Sequence, residues 1–171
     1  MKIEIRHKFS GLLMFKCIAK DMRTAVELAL SRNINLTNAN LNCTNLIGIN
    51  LRGVNFSGVY LNYADLSDAN LSYINLSYAS LRNTTLVGVN LNQANLVNTN
   101  LSDAYLNGIS WSGANLINTN LSGAYLGDTN LSDANVSNIN LSNVNLSCIN
   151  LRDAIFRGTN VSNVTLGYRS K

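Results

Sequence analysis

The sequence has no proline in 171 residues, one histidine, three cysteines and only 13% charged side chains, and each shortage excludes something. A chain without proline keeps a donor on its backbone N–H groups throughout, as an unbroken strand ladder requires. The lone histidine, His7, has no cysteine or second histidine near it in sequence, so metal or imidazole-based catalysis is not expected. Cys17, Cys43 and Cys148 are odd in number and lack CxxC spacing, which argues against a disulfide framework and a zinc site. They point instead to a reducing, cytoplasmic compartment. No apolar run reaches the length of a membrane span. The stretch GLLMFKCIA is short, is broken by Lys16 and leads into a charged segment, so it reads as part of the fold rather than as a signal peptide. No cofactor or metal is expected.

The net charge of +4 is local. Residues 1–33 hold Lys2, Arg6, Lys8, Lys16, Lys20, Arg23 and Arg32 against Glu4, Asp21 and Glu27, and the remaining bases and acids balance. A nucleic-acid binder needs a basic stripe along its body and a phosphate mimic an acidic one. Neither is present, so the expected partner is a protein of unspecified identity, with no direct nucleic-acid contact and no membrane.

What the chain does have is a period of five. From Leu36 a bulky apolar residue falls at every fifth position, through Phe56, Trp111, Val136 and Val161 to Leu166, twenty-seven times without a break in phase. Two residues before each centre stands a residue drawn only from Ala, Val, Ile and Thr, as Ala39, Thr44, Ile49, Val54 and Ala64 show, and between the two lies a polar residue, most often Asn. Two small or polar residues follow, such as Ser57-Gly58 or Ser67-Asp68. Residues pointing in, out and in make a short extended segment, because side chains alternate across a strand. The next two turn a corner. A helix is excluded for this body, since a 3.6-residue period carries a five-residue repeat off any one face. If each corner turns the chain by about a right angle, a few repeats close a coil, and stacked coils satisfy their backbones at a spacing of about 4.8 Å. The core is then a stacked column of Leu and Ala.

The pentads NANLN, YADLS, DANLS, QANLV and GANLI resemble the A(D/N)LXX pattern of the pentapeptide-repeat family, over about four fifths of the chain. The resemblance implies an all-β fold, a right-handed quadrilateral β-helix with four pentads per coil and residues twenty apart stacked above one another. That gives just under seven coils, roughly 30 Å long at the strand spacing. The expected organisation is a hairpin and capping helix over 1–33, the β-helix over 34–168 and a short tail over 169–171.

The alternation of MKIEIR, then Ser10-Gly11, then LLMFKCIA predicts a β-hairpin over 2–19. Asp21 is placed to cap a helix whose apolar stripe is Met22, Ala25, Val26, Leu28, Ala29 and Leu30, closed by Arg32-Asn33. Two readings stand. Hairpin and helix plug the open first coil, or this basic unit is a docking module. At the other end Phe156, Val161, Val164 and Leu166 are followed only by GYRSK, so the last coil is expected to present apolar surface and unpaired edges. A homodimer through this C-terminal coil is expected on that ground. Members of the resembled family that inhibit topoisomerases dimerise in a similar way.

Stacking at a spacing of twenty also shows where chemistry could gather. Asp133 and Asp153 would lie one above the other, close enough to share a proton or a cation, but Arg152 beside them favours a solvated, neutralised corner. Asn35, Asn55, Asn75, Asn95, Asn115 and Asn135 form one column suited to an amide ladder. Tyr105 and Tyr125 stack likewise, Tyr63, Tyr73 and Tyr78 decorate corners of the early coils, and Val97 lies below Ile117 at an outward corner. Exposed aromatic and apolar groups of this kind either anchor a protein partner or simply stack on the surface. Trp111 stands at a centre and reads as an oversized core residue. The outward threonines form no column of the kind an ice-binding face needs, and the calcium-binding GGxGxD repeat does not occur.

No catalytic residue is assigned, because acid–base work needs a shielded pocket that a convex prism does not offer. The leading expectation is a non-catalytic structural or protein-interaction solenoid. The alternative is a DNA-mimicking, gyrase-binding protein like the quinolone-resistance members of the resembled family, from which this chain departs in its neutral, uninterrupted body.

Overall fold

A computed structural model describes residues 1–146 and 148–165. It begins with β1 (Lys2–His7) and β2 (Leu13–Ile18), an antiparallel hairpin, followed by α1 (Met22–Ser31) and the two-residue β3 (Ala39–Asn40). From there single bridges join residues twenty apart in parallel, from Asn40 to Tyr60 through to Asn145 and Thr165. Four pentads therefore make one coil. The coils stack in register, with one outward residue of each side bridged to its counterpart above and below.

One pentad accounts for all its donors. Around Leu71, the Asn70 and Leu71 N–H groups donate along the stack to Ile49 and Asn90, and that of Tyr73 donates to Asn92. The Ala69 N–H closes the preceding corner on Leu66, and the Ser72 N–H is taken by the Asn70 side-chain oxygen at 3.1 Å. Proline would break a bond at any of the five positions.

That last bond explains the prevalence of asparagine in the wall. A side-chain oxygen accepting from the N–H two residues on is an Asx turn, and the amide keeps a donor for its neighbour in the stack. Asn75 Nδ2 donates to Asn55 Oδ1 and Asn95 Nδ2 to Asn75 Oδ1, each at 3.2 Å. Asn35, placed at the foot of this column, accepts from Thr37 N–H at 2.9 Å, and the bridged run starts at Asn55.

All twenty-six second corner residues from Asn38 to Asn163 have positive φ. Twenty are Gly, Asn or Asp, the residues that reach the left-handed region at least cost. Most corners are closed by a bond from the N–H of the next inward residue to the carbonyl of the centre, as from Val59 to Phe56 at 3.1 Å, the pattern of a turn whose third residue has positive φ.

The centres and the inward small positions form one continuous core from Leu36 to Val144. Phe56 and Trp111 are fully buried, Trp111 with its indole N–H unpartnered. Inward threonines are satisfied within that core: the hydroxyls of Thr84, Thr99, Thr119 and Thr129 donate to the carbonyls of Leu61, Leu76, Leu96 and Leu106 in the coil before.

Ile5, Phe15, Val26 and Ala29 belong to the same apolar cluster, so hairpin and helix lie against the first coil. The Asp21 carboxylate accepts from the Thr24 hydroxyl at 2.6 Å and from Thr24 N–H at 2.8 Å, capping α1, and these bonds hold its carboxyl below the usual range. Arg23 ties the helix to a corner by donating to the carbonyls of Ile47 and Gly48. The buried stripe narrows to Ala25, Val26 and Ala29, with Met22, Leu28 and Leu30 partly covered. No helix among the described residues is long and apolar enough to cross a membrane.

Candidate functional site

The wall that contains Asn40, Tyr60, Ser80 and Asn100 is the one the hairpin joins. β1 pairs with β3 through Arg6–Asn40 and His7–Ala39, and Lys8 N–H donates to Asn38 carbonyl at 2.8 Å. The chain then turns over the wall. Phe9 meets the Tyr60 ring edge to face at 5.9 Å, and Lys8 Nζ lies 4.7 and 4.5 Å from the Phe9 and Tyr60 centroids. A β-carbon on Gly58 would fall 2.2 Å from Asn38 Oδ1 and 3.3 Å from Lys8 Nζ, so a larger residue at the corner under the lysine would displace the Asn38 side chain. Burial lowers the Lys8 pKa.

Tyr63 and Tyr78 occupy the two corners that bound this wall, at 64% and 67% exposure. Tyr73 sits on the next corner round, with the Arg52 guanidinium 4.4 Å from its ring. The three tyrosines singled out from sequence thus ring one coil rather than forming one patch. All three hold φ near +60°, where a bulky side chain carries a cost of about 1 kcal/mol.

Tyr105 and Tyr125 lie on a neighbouring wall, stacked with centroids 5.0 Å apart and planes within 2°. Val97 and Ile117, at the first residue of their corners, are half-buried, so the apolar surface they offer is small. Of the C-terminal residues, Phe156 and Val161 are exposed and Val164 half-buried. Leu166 and the tail at 169–171 lie outside the described residues.

Asp153 pairs with Arg152 at 3.1 Å, both well exposed. Among the described residues no cluster of His, Cys, Asp and Glu could hold a metal. Cys17, Cys43 and Cys148 are free thiols. His7 Nδ1 lies 3.0 Å from the Ser10 hydroxyl inside the hairpin turn.

Sequence reasoning missed Tyr60, Phe9 and Lys8. It also missed how walls without Asn or Asp are repaired. Where Tyr60, Ser80, Ser110 or Tyr125 stands in the wall, the N–H two residues on is taken by an asparagine one coil earlier: Asn42, Asn62, Asn92 and Asn107, at 2.8 to 3.0 Å.

The family model for pentapeptide repeats matches eight copies over residues 32–58, 64–103, 94–133 and 134–167. The chain belongs to the pentapeptide-repeat family. Among solved structures, this pentapeptide-repeat chain is 30% identical to Rfr23 of the cyanobacterium Cyanothece 51142, over 72% of this chain and 91% of that one, with a TM-score of 0.43. It is 24% identical to a pentapeptide-repeat protein of the Arabidopsis thaliana thylakoid lumen, over 61% and 66% of the two chains, with a TM-score of 0.40. QnrB1, a plasmid-mediated fluoroquinolone resistance protein, is 20% identical over 77% and 78%, with a TM-score of 0.41. A comparison with curated proteins returns no match.

Proposed function

We propose that this chain is a non-catalytic interaction protein, a right-handed four-sided coil stack that presents aromatic side chains to a protein partner. The observation that carries the reading is the conformation of Tyr63, Tyr73 and Tyr78. At corners where twenty of twenty-six residues are Gly, Asn or Asp, three exposed tyrosines keep positive φ at a cost to the fold. Exposed tyrosines are favoured anchors in protein interfaces. Replacing them by the residue the corner prefers separates the two roles. The Tyr63→Asn/Tyr73→Asn/Tyr78→Asn variant is expected to be more stable than the wild type by roughly 1–3 kcal/mol and to lose the proteins that full-length wild type retains from native lysate. A variant that retains the same proteins, or loses stability, overturns the reading.

A homodimer is part of the same proposal. Leu151 and Ala154 are half-buried and Phe156 and Val161 exposed at positions whose counterparts in earlier coils are buried, and a second copy offers a matching open coil. Light scattering at micromolar concentration should give twice the chain mass; a monomer removes the dimer and leaves the tyrosine surface untouched.

A further inference from the structure

β2 is the outer strand of the sheet β2-β1-β3, and through β3 that sheet runs on into the wall carrying Tyr60. Met1 and Ala19 exchange both backbone bonds, at 2.8 and 3.0 Å. Antiparallel pairs alternate between bonded and non-bonded, so Ile3–Cys17 and Ile5–Phe15 are bonded pairs and Lys2–Ile18 and Glu4–Lys16 are not. The N–H and carbonyl groups of Lys16 and Ile18 therefore face away from β1, along an open edge. Beside them runs a groove lined by Lys2, Lys16, Cys17 and Ile18, with Ile18 85% exposed.

The net charge along this edge is positive. Glu4 is already engaged, hydrogen-bonded by Arg6 and with Lys2 at 3.6 Å and Lys16 at 4.0 Å, and the Arg6 bond holds its carboxyl below the usual range. Lys2, Arg6 and Lys16 exceed it by two positive charges. Two copies of the edge pairing with each other would set lysines against lysines, which is unfavourable across a strand pair. An acidic strand meets no such penalty.

We infer that β2 is a docking edge that takes up an extended acidic segment of the partner protein as an added strand, with an apolar residue of that segment over Ile18. Main-chain bonds supply affinity in this mode, and alternate side chains supply selectivity. The inference rests on the interaction reading above and places the contact on the same sheet as Tyr60.

The test uses the full-length protein and a fluorescein-labelled twelve-residue peptide of repeating Glu-Thr-Val-Thr, which presents Glu and Val in turn on one face, as Lys16 and Ile18 require, followed by anisotropy. Saturable binding that weakens with salt is expected, together with a loss of about tenfold or more in Lys16→Pro, which removes an outward N–H the hairpin does not use. Lys2→Glu/Lys16→Glu should lose binding similarly, and the same peptide with Lys in place of Glu should not bind. The denaturation midpoint followed by Trp111 fluorescence establishes that each variant is folded, and the double charge reversal keeps the test valid should the proline variant not fold. No saturable binding up to millimolar peptide, undiminished binding by the folded variants, or equal binding of the Lys peptide each overturns the docking edge. None of these outcomes touches the tyrosine experiment, which fails or succeeds without the peptide.

Discussion

The two ends of the coil stack carry the same repeat and differ in what lies over it. At the N-terminal end Leu36, Ala39 and Leu41 are fully buried, because Ile5, Phe15, Val26 and Ala29 join their cluster. At the other, Leu151 and Ala154 are half-buried, and Phe156 and Val161 stand 42% and 57% exposed at the same positions of the pentad. A leucine in register is thus not sufficient to close a coil. Its burial comes from the neighbour above, as expected of a solenoid whose stability is a sum of interfaces between adjacent units.

One charge at each end breaks the comparison most severely. Val26→Asp places a carboxylate in a site with no exposure and should cost about 4 kcal/mol or more, seen as a lower midpoint in denaturation followed by Trp111 fluorescence. Val161→Asp, already in contact with water, should cost the single chain less than about 1 kcal/mol and should abolish the dimer if the last coil forms it. Equal losses at the two ends would mean that hairpin and helix contribute nothing to the first coil.

Between the ends the core is tested at its bulkiest rung. Trp111 stands between Leu91 and Leu131 in its column, in a stretch whose inward small positions include Ala94, Ala104, Ala114 and Ala124. Trp111→Ala should cost about 3–5 kcal/mol through the cavity it leaves. Trp111→Phe also leaves volume empty, but it removes the buried N–H that has no acceptor, itself a cost of about 1–3 kcal/mol. Its net loss should be under about 1.5 kcal/mol, read by far-ultraviolet circular dichroism. A phenylalanine variant as damaged as the alanine one would mean that the indole N–H is satisfied in solution.

Much of this was legible in sequence because it depends on near neighbours. The period of five places Leu, the inward small residues and the outward Asn without reference to anything distant, and Ser10-Gly11 and Asp21 act within a few residues of themselves. The corner conformation had a signal too: Gly, Asn and Asp recur two residues after the centre, and against that rule Tyr63, Tyr73 and Tyr78 are exceptions of residue type that hold the same positive φ. The contact of Phe9 with Tyr60 had none, since it exists only once the hairpin folds back across fifty residues of chain. The inward threonine hydroxyls likewise find their carbonyls twenty-three residues earlier, in another coil, a spacing that no local pattern announces.

The smallest effect probes the repair of the wall beside the hairpin, where the covered end differs from the regular walls. Tyr60 gains contact with Phe9 and Lys8 but cannot accept from the N–H of Asn62, and Asn42 Oδ1 does so instead at 2.8 Å. Asn42→Ala should therefore cost about 1 kcal/mol, the net worth of one such bond. In a Tyr60→Asn background the wall residue supplies its own acceptor two residues back, as Asn70 does for Ser72, and Asn42→Ala should then cost little. The loss of the aromatic contacts is common to both arms and cancels, so a coupling of about 0.5–1 kcal/mol isolates the borrowed hydrogen bond. Strict additivity would show that the Asn42 amide is incidental. Coupling would show that the wall at Tyr60 depends on an asparagine one coil before it, an arrangement that Tyr125 repeats with Asn107.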